Sequence, residues 1–126
     1  MKNGVKNFVL LLLALCALPA LTAAQTAKIR FYIRVNQLGF RPRDVKTAVA
    51  FGHETLPATF RVRDANTGAV VFTGRSAALN GSWGDFVHHA ELNFSGLRRE
   101  GKFVIELGAT RSVAFAIARN VDKDVA

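Results

Sequence analysis

Apolar and polar residues alternate with a period of two through most of the chain beyond residue 24. Turn signals recur about every ten residues there, and no window carries helical periodicity. These observations predict an all-β fold. Seven short runs in about 100 residues make the inventory of an immunoglobulin-like sandwich of antiparallel strands. A five-stranded oligonucleotide-binding barrel competes with it, but would carry exposed aromatics on a strand face. Here nearly all ten Phe lie in the leading apolar run or at core-phase positions.

The first 24 of the 126 residues stand apart from this pattern. Lys2 and Lys6 give a basic start, Phe8 to Ala20 is almost unbroken apolar sequence, and Leu21-Thr22-Ala23-Ala24 offers small residues at a cleavage site. This reads as an export signal cut near Ala24, placing the mature chain in the periplasm or outside the cell. The apolar run is shorter than the roughly 18 residues that identify a membrane span, so no stable insertion is expected after cleavage. Cys16 goes with the signal, leaving 102 residues without a cysteine. An exported domain of that size without disulfides has to hold together through its packed core.

The first run is Phe31 to Gln37 and the second Thr47 to Phe51, joined through Leu38-Gly39-Phe40-Arg41-Pro42. Leu38 and Phe40 are of the type that closes one end of a core. Gly39 relieves the backbone at the bend, and Pro42 stiffens the exit. The third run, Thr59 to Asp64, sets Phe60 and Val62 on one face and Arg61 and Arg63 on the other. Asp64-Ala65-Asn66-Thr67-Gly68 is a tight connection in which Asp64 bonds nearby amides and Gly68 takes the left-handed conformation. The fourth run is Ala69 to Thr73, and Asn80 to Asp85 is a loop by composition. The fifth, Phe86 to Phe94, puts His88, Ala90, Leu92 and Phe94 on one face. The sixth, Lys102 to Leu107, buries Phe103, Ile105 and Leu107. The seventh, Ser112 to Ala118, buries Val113, Phe115 and Ile117.

Beyond residue 24 there are 15 Lys or Arg against 9 acidic residues, a net charge of +6. Arg30, Arg34, Arg61 and Arg63 fall at alternate places in strand-like runs, the pattern of a solvated sheet face, and export also argues against a nucleic-acid partner. Residual affinity for acidic glycans is compatible with the charge. Paired carboxylates of a glycoside hydrolase need a site that raises the pKa of one partner. Asp44, Asp64, Asp85 and Glu100 lie in or beside turns, and Glu91 and Glu106 occupy outward strand positions, so no such pair is expected. His88 and His89 are adjacent in a strand and point to opposite faces, which rules out joint ligation of one ion. No nucleophile elbow or phosphate-binding glycine loop is present. Neither a metal nor a cofactor is expected. Trp83, in a loop, is the best candidate for stacking on a sugar ring, with capping of the sandwich edge as the simpler reading.

The run Ile33-Arg34-Val35-Asn36-Gln37-Leu38-Gly39-Phe40-x-Pro42, followed by Lys46 and Ala48, resembles the start of the N-terminal immunoglobulin-like domain of family nine glycoside hydrolases, the cellulase and endoglucanase family. Phe60-Arg61-Val62-Arg63-Asp64, Thr67-Gly68, Val70-Val71-Phe72-x-Gly74, Asn93-Phe94-Ser95-Gly96-Leu97, Glu100-Gly101-x-Phe103 and Ser112-x-x-Phe115-x-Ile117 agree in order. The resemblance covers about residues 30 to 118. It implies a non-catalytic sandwich over 25–118 that stabilises and orients an (α/α) barrel, and that barrel carries the catalytic acid and base of a polysaccharide-degrading enzyme. Residues 119–126 then read as a linker toward a missing catalytic domain, the chain being a fragment, a truncated frame or a module made alone. No family catalytic residue falls on this sequence. Asn36, Gln37, Leu38, Gly39 and Phe40 are expected to serve docking, with the two amides bonding neighbouring loops or the barrel; a polysaccharide is the further partner.

Overall fold

The computed structural model describes residues 31–121, so the signal, residues 25–30 and the end of the linker from 122 onward lie outside the described residues. Among the described residues eight strands form, all paired antiparallel, and there is no α-helix. They are β1 Phe31–Val35, β2 Thr47–Gly52, β3 Thr59–Asp64, β4 Val70–Ala78, β5 His88–Asn93, β6 Gly101–Leu107, β7 Thr110–Arg111 and β8 Phe115–Ile117. One sheet runs β1-β2-β5 and ends on Ser76–Ala78 of β4. The other takes the first part of β4 and continues through β3 to β6, which carries both β7 and β8.

β4 belongs to both sheets, and this is why it is nine residues long rather than the five expected from Ala69 to Thr73. It leaves one sheet for the other after a register shift opposite Val62 and Arg63, where Val71 is the extra residue. Such bulges bend a strand and increase its twist. Three positions after Val71, Gly74 lies opposite Phe60, and a Cβ there would stand 2.6 Å from two atoms of the Phe60 ring. The glycine therefore lets a fully buried phenylalanine lie flat beneath the crossing strand.

The core is asymmetric. The first sheet contributes mostly small residues, Ala48, Ala50 and Leu92, while the second contributes Phe60, Val62, Phe103, Ile105, Leu107, Phe115 and Ile117. Phe40, Phe94 and Leu97 close one end, with Phe40 edge-on to both Phe94 and Phe115 at centroid distances of 5.4 and 5.8 Å. Burying each large side chain of this kind contributes roughly 1.5–3 kcal/mol, which is how a domain lacking disulfides holds its shape.

Two expectations fail at strand ends. The seventh run divides into β7 and β8, and Val113 lies between them with 60 % of its surface exposed. Ser112 explains the break: its hydroxyl accepts from the Ile105 amide and donates to the Val113 carbonyl, occupying backbone groups a continuous ladder would use. The first run stops at Val35, and Asn36 and Gln37 begin a turn.

Candidate docking interface

One end of the sandwich gathers the turn after β1, the loop into β2, the segment between β5 and β6, and the chain as it leaves β8. The Phe40 amide donates to Ala116 O at 2.9 Å and the Ala118 amide to Phe40 O at 2.9 Å, so Phe40 forms a parallel bridge with Ile117. Gly39 makes this approach possible. Its φ is +87°, and a Cβ there would lie 2.8 Å from Ala116 O and 3.3 Å from Val121 Cγ1. An L side chain is strained at that φ, and the neighbour it would meet is backbone that cannot yield alone. The turn and the departing chain are thus one structural unit.

The amides of Asn36 and Gln37 are used inside this turn and not on other loops. Asn36 Oδ1 accepts from the Leu38 amide at 3.0 Å and its Nδ2 donates to Gly39 O at 3.2 Å, while Gln37 Nε2 donates to Val35 O at 3.1 Å. An asparagine closing its own turn is the ordinary use of that side chain. Of the two residues expected to plug the core, Phe40 does so at 7 % exposure, but Leu38 is 64 % exposed. The bonds from Asn36 hold the turn in a shape that points Leu38 outward.

Beneath the turn lies a buried cation that sequence reasoning treated only as part of a motif. Lys46 is fully buried, and its ammonium donates to the carbonyls of Pro42 (2.7 Å), Asp44 (2.9 Å) and Ser95 (3.4 Å). Its amide donates to Ser95 Oγ, and its own carbonyl accepts from Phe94 N. Burial pushes its pKa below the ordinary lysine value, opposed by the nearby Asp44 charge and reinforced by Arg98. Lys46 stitches the loop entering β2 to the loop leaving β5. Apart from its place in that motif, Lys46 is a lysine just before an apolar strand, which resembles any solvated lysine.

The surface around this unit is basic. Arg41, Arg43, Arg98 and Arg119 line a depression of about 640 Å³ together with Asp44 and Glu100. Both carboxylates are occupied locally: Asp44 accepts from the Arg41 amide at 2.8 Å, and Glu100 accepts from the Arg119 amide at 3.0 Å with its guanidinium 3.6 Å away. Leu38 and Val45, the latter 76 % exposed, are the outward apolar side chains of the same loops.

Trp83 lies at the opposite end, so the structure does not bring it together with residues 36–40. It stands edge-on to Phe51 at 4.8 Å, and Phe51 also meets Phe86 at 4.8 Å and stacks with Tyr32 at 5.6 Å. These rings cover the outer face of β1 and β2, which buries Phe51 although it points away from the main core. The indole is about half exposed and acts as a cap on that cluster.

Glu106 keeps its outward position on β6 but is 7 % exposed, because Arg61, Arg63 and Arg111 close over it at 2.9, 3.0 and 3.2 Å. Hydrogen bonds from Arg63, opposed by burial, hold its carboxyl below its ordinary pKa. Of the alternating arginines that suggested a solvated face, Arg61 and Arg63 form a cross-strand cage with Arg111, and Arg61 and Arg111 are each opposite Glu106; Arg30 lies outside the described residues. Asp64 behaves as expected: it accepts from the amides of Thr67 and Asn66, which lower its pKa, and Gly68 has φ +74°. His88 and His89 face opposite sides of β5, and no group of three or more metal-binding side chains occurs among the described residues.

A family model described as the cellulase N-terminal Ig-like domain matches residues 30–112. Over 90 residues the chain is 33 % identical to a xyloglucan-specific endo-β-1,4-glucanase of Bacteroides ovatus, spanning 71 % of this chain and 15 % of that protein. A solved family nine glycoside hydrolase of the same species superposes with a TM-score of 0.60 at 31 % identity, covering 71 % of this chain and 16 % of the other. A single mutant of the thermostable endoglucanase from Alicyclobacillus acidocaldarius gives 0.60 at 26 % identity, with coverages of 74 % and 16 %. The chain therefore spans about a sixth of the length of the relatives it matches.

Proposed function

The chain belongs to the cellulase N-terminal Ig-like domain family, and from that membership we propose that it is the non-catalytic module of an exported family nine glycoside hydrolase, stabilising and orienting a catalytic (α/α) barrel. The observation that carries this reading is the fusion of the Asn36–Phe40 turn to the departing chain through the Phe40, Ala116 and Ala118 backbone bonds. A domain attached at that point has its orientation set by a braced turn instead of a free linker. The parent enzyme acts on a β-linked glucan, a substrate class supported by the names of the relatives. The acid and base of glycosidic cleavage belong to the barrel. Among the described residues, Asp44, Asp64 and Glu100 are engaged by loop amides and Glu106 by an arginine cage.

Melting and turnover of the longer enzyme with and without residues 25–118 test this. Loss of the module is expected to lower both the unfolding midpoint and the rate on a soluble β-glucan; unchanged values of both refute it. Export is tested separately by N-terminal sequencing of the mature protein, which is expected to begin at Gln25.

A further inference from the structure

Resting on that reading, we infer that the catalytic domain seats on the end of the sandwich formed by residues 36–46, 95–100 and 117–121, and that it meets this end with an acidic face around an apolar patch. The chain leaves β8 bonded to Phe40, with Val121 against Gly39, so whatever follows emerges over this surface. Two side chains there have no use within the module. Leu38 is 64 % exposed on a turn that two Asn36 hydrogen bonds hold outward, and Val45 is 76 % exposed beside the buried Lys46.

Charge identifies the chemistry of the partner. Asp44 and Glu100 are engaged on their own loops, whereas Arg43 and Arg98 have no carboxylate within ion-pair distance among the described residues. Beneath them the Lys46 ammonium is compensated by carbonyls rather than by a bound carboxylate. An apolar centre with a positive rim is complementary to an apolar patch ringed by Asp and Glu, and rim charges of this kind set orientation and salt dependence. The aromatic cluster of Tyr32, Phe51, Phe86 and Trp83 is at the other end, away from the exit.

Hydroxyl-radical footprinting of the 126-residue chain and of the parent enzyme reads this directly. Labelling of Leu38 and Val45 is expected to fall by about an order of magnitude in the enzyme, since an interface core excludes water and radical alike, while Leu79 at the far end labels equally in both. Arg43→Gln with Arg98→Gln in the enzyme is expected to restore part of the Leu38 labelling and weaken its dependence on ionic strength, with the melting of the 126-residue chain unchanged by the same pair. Equal labelling of Leu38 and Val45 in chain and enzyme overturns the assignment of the face. So does a double variant that alters only the mobility of the chain in gels containing polygalacturonate, which would make this an anionic-glycan site. An enzyme indifferent to loss of the whole module defeats the proposed function; an enzyme that needs the module but leaves Leu38 exposed defeats only the choice of surface.

Discussion

Gly39→Ala is expected to be the most damaging single-methyl substitution in the turn after β1, and its cost separates into two parts. At φ +87° an alanine incurs left-handed strain of roughly 1–2 kcal/mol. Its Cβ would also stand 2.8 Å from Ala116 O, the atom that accepts from the Phe40 amide, so relieving the clash lengthens that bond. Loss of a backbone bond of this kind costs about 0.5–1.5 kcal/mol, for a total of roughly 2–3 kcal/mol. Gly68→Ala supplies the control. Its φ is +74°, but nothing lies within 4 Å of the new methyl, so it carries the strain alone. Thermal unfolding followed by circular dichroism and Trp83 fluorescence would place Gly39→Ala about 4–8 °C below Gly68→Ala for each kcal/mol of difference in a domain this size. Equal midpoints for the two variants would show that the turn relaxes away from β8 freely and would refute the argument that turn and exit are one unit.

Gly74→Ala places a methyl against the fully buried Phe60 ring and is expected to cost about 1–3 kcal/mol by overpacking, measured by urea unfolding; Phe60→Leu in the same background should recover part of it. Lys46→Met keeps the length of the side chain but strips the donor from three carbonyls, a loss of about 1–3 kcal/mol that chemical denaturation would read as a lower midpoint. Glu106 and Asp64 have folded pKa values below their ordinary ones, so each contributes stability that is present above the unfolded value and lost as pH falls through the folded value. The melting temperature is therefore expected to drop on acidification below the usual carboxylate range, and Glu106→Gln should be less stable at neutral pH with a shallower acid limb; parallel acid limbs in wild type and variant would dismiss the cage as a source of stability. Lys46 has the same sign in a more alkaline window, its depressed pKa making stability rise with pH between the folded value and the unfolded value of 10.5.

Strand content was legible because it depends on pattern. Phe60 and Val62 against Arg61 and Arg63, or Ala90 and Leu92 against His89 and Glu91, can satisfy a one-sided core in only one register, and those strands appear where the alternation puts them. What the alternation hides is pairing across long sequence distances. Glu106 counted as solvated because nothing local reveals that β3 and β7 bring three arginines over it. Lys46 was silent because its partners are carbonyls, which every residue has. Trp83 drew attention as a loop tryptophan, yet its main contact is Phe51, which is of outward phase on β2. Leu38 failed for a related reason: apolar character marks a residue that will be buried somewhere, and its place in the chain does not say against what.

In the proposed enzyme, the exposure of Leu38 bears on how a small sandwich orients a much larger neighbour. The stiffness of such a joint depends on whether the residues at the exit are fixed by bonds that survive independently of the partner. Here Asn36 closes the turn, Gly39 lets it lie on Ala116, Phe40 anchors it in the core, and Lys46 ties the adjoining loop to Ser95. None of these interactions needs a second domain. On the proposed docking, an interface prepared in this way loses little conformational entropy when the partner arrives, so exposed Leu38 and Val45 and the guanidinium groups of Arg43 and Arg98 can hold orientation without a large contact area. The physical task of the turn is then to present side chains, and the hydrogen bonds of Asn36 matter because they keep Leu38 out of the core.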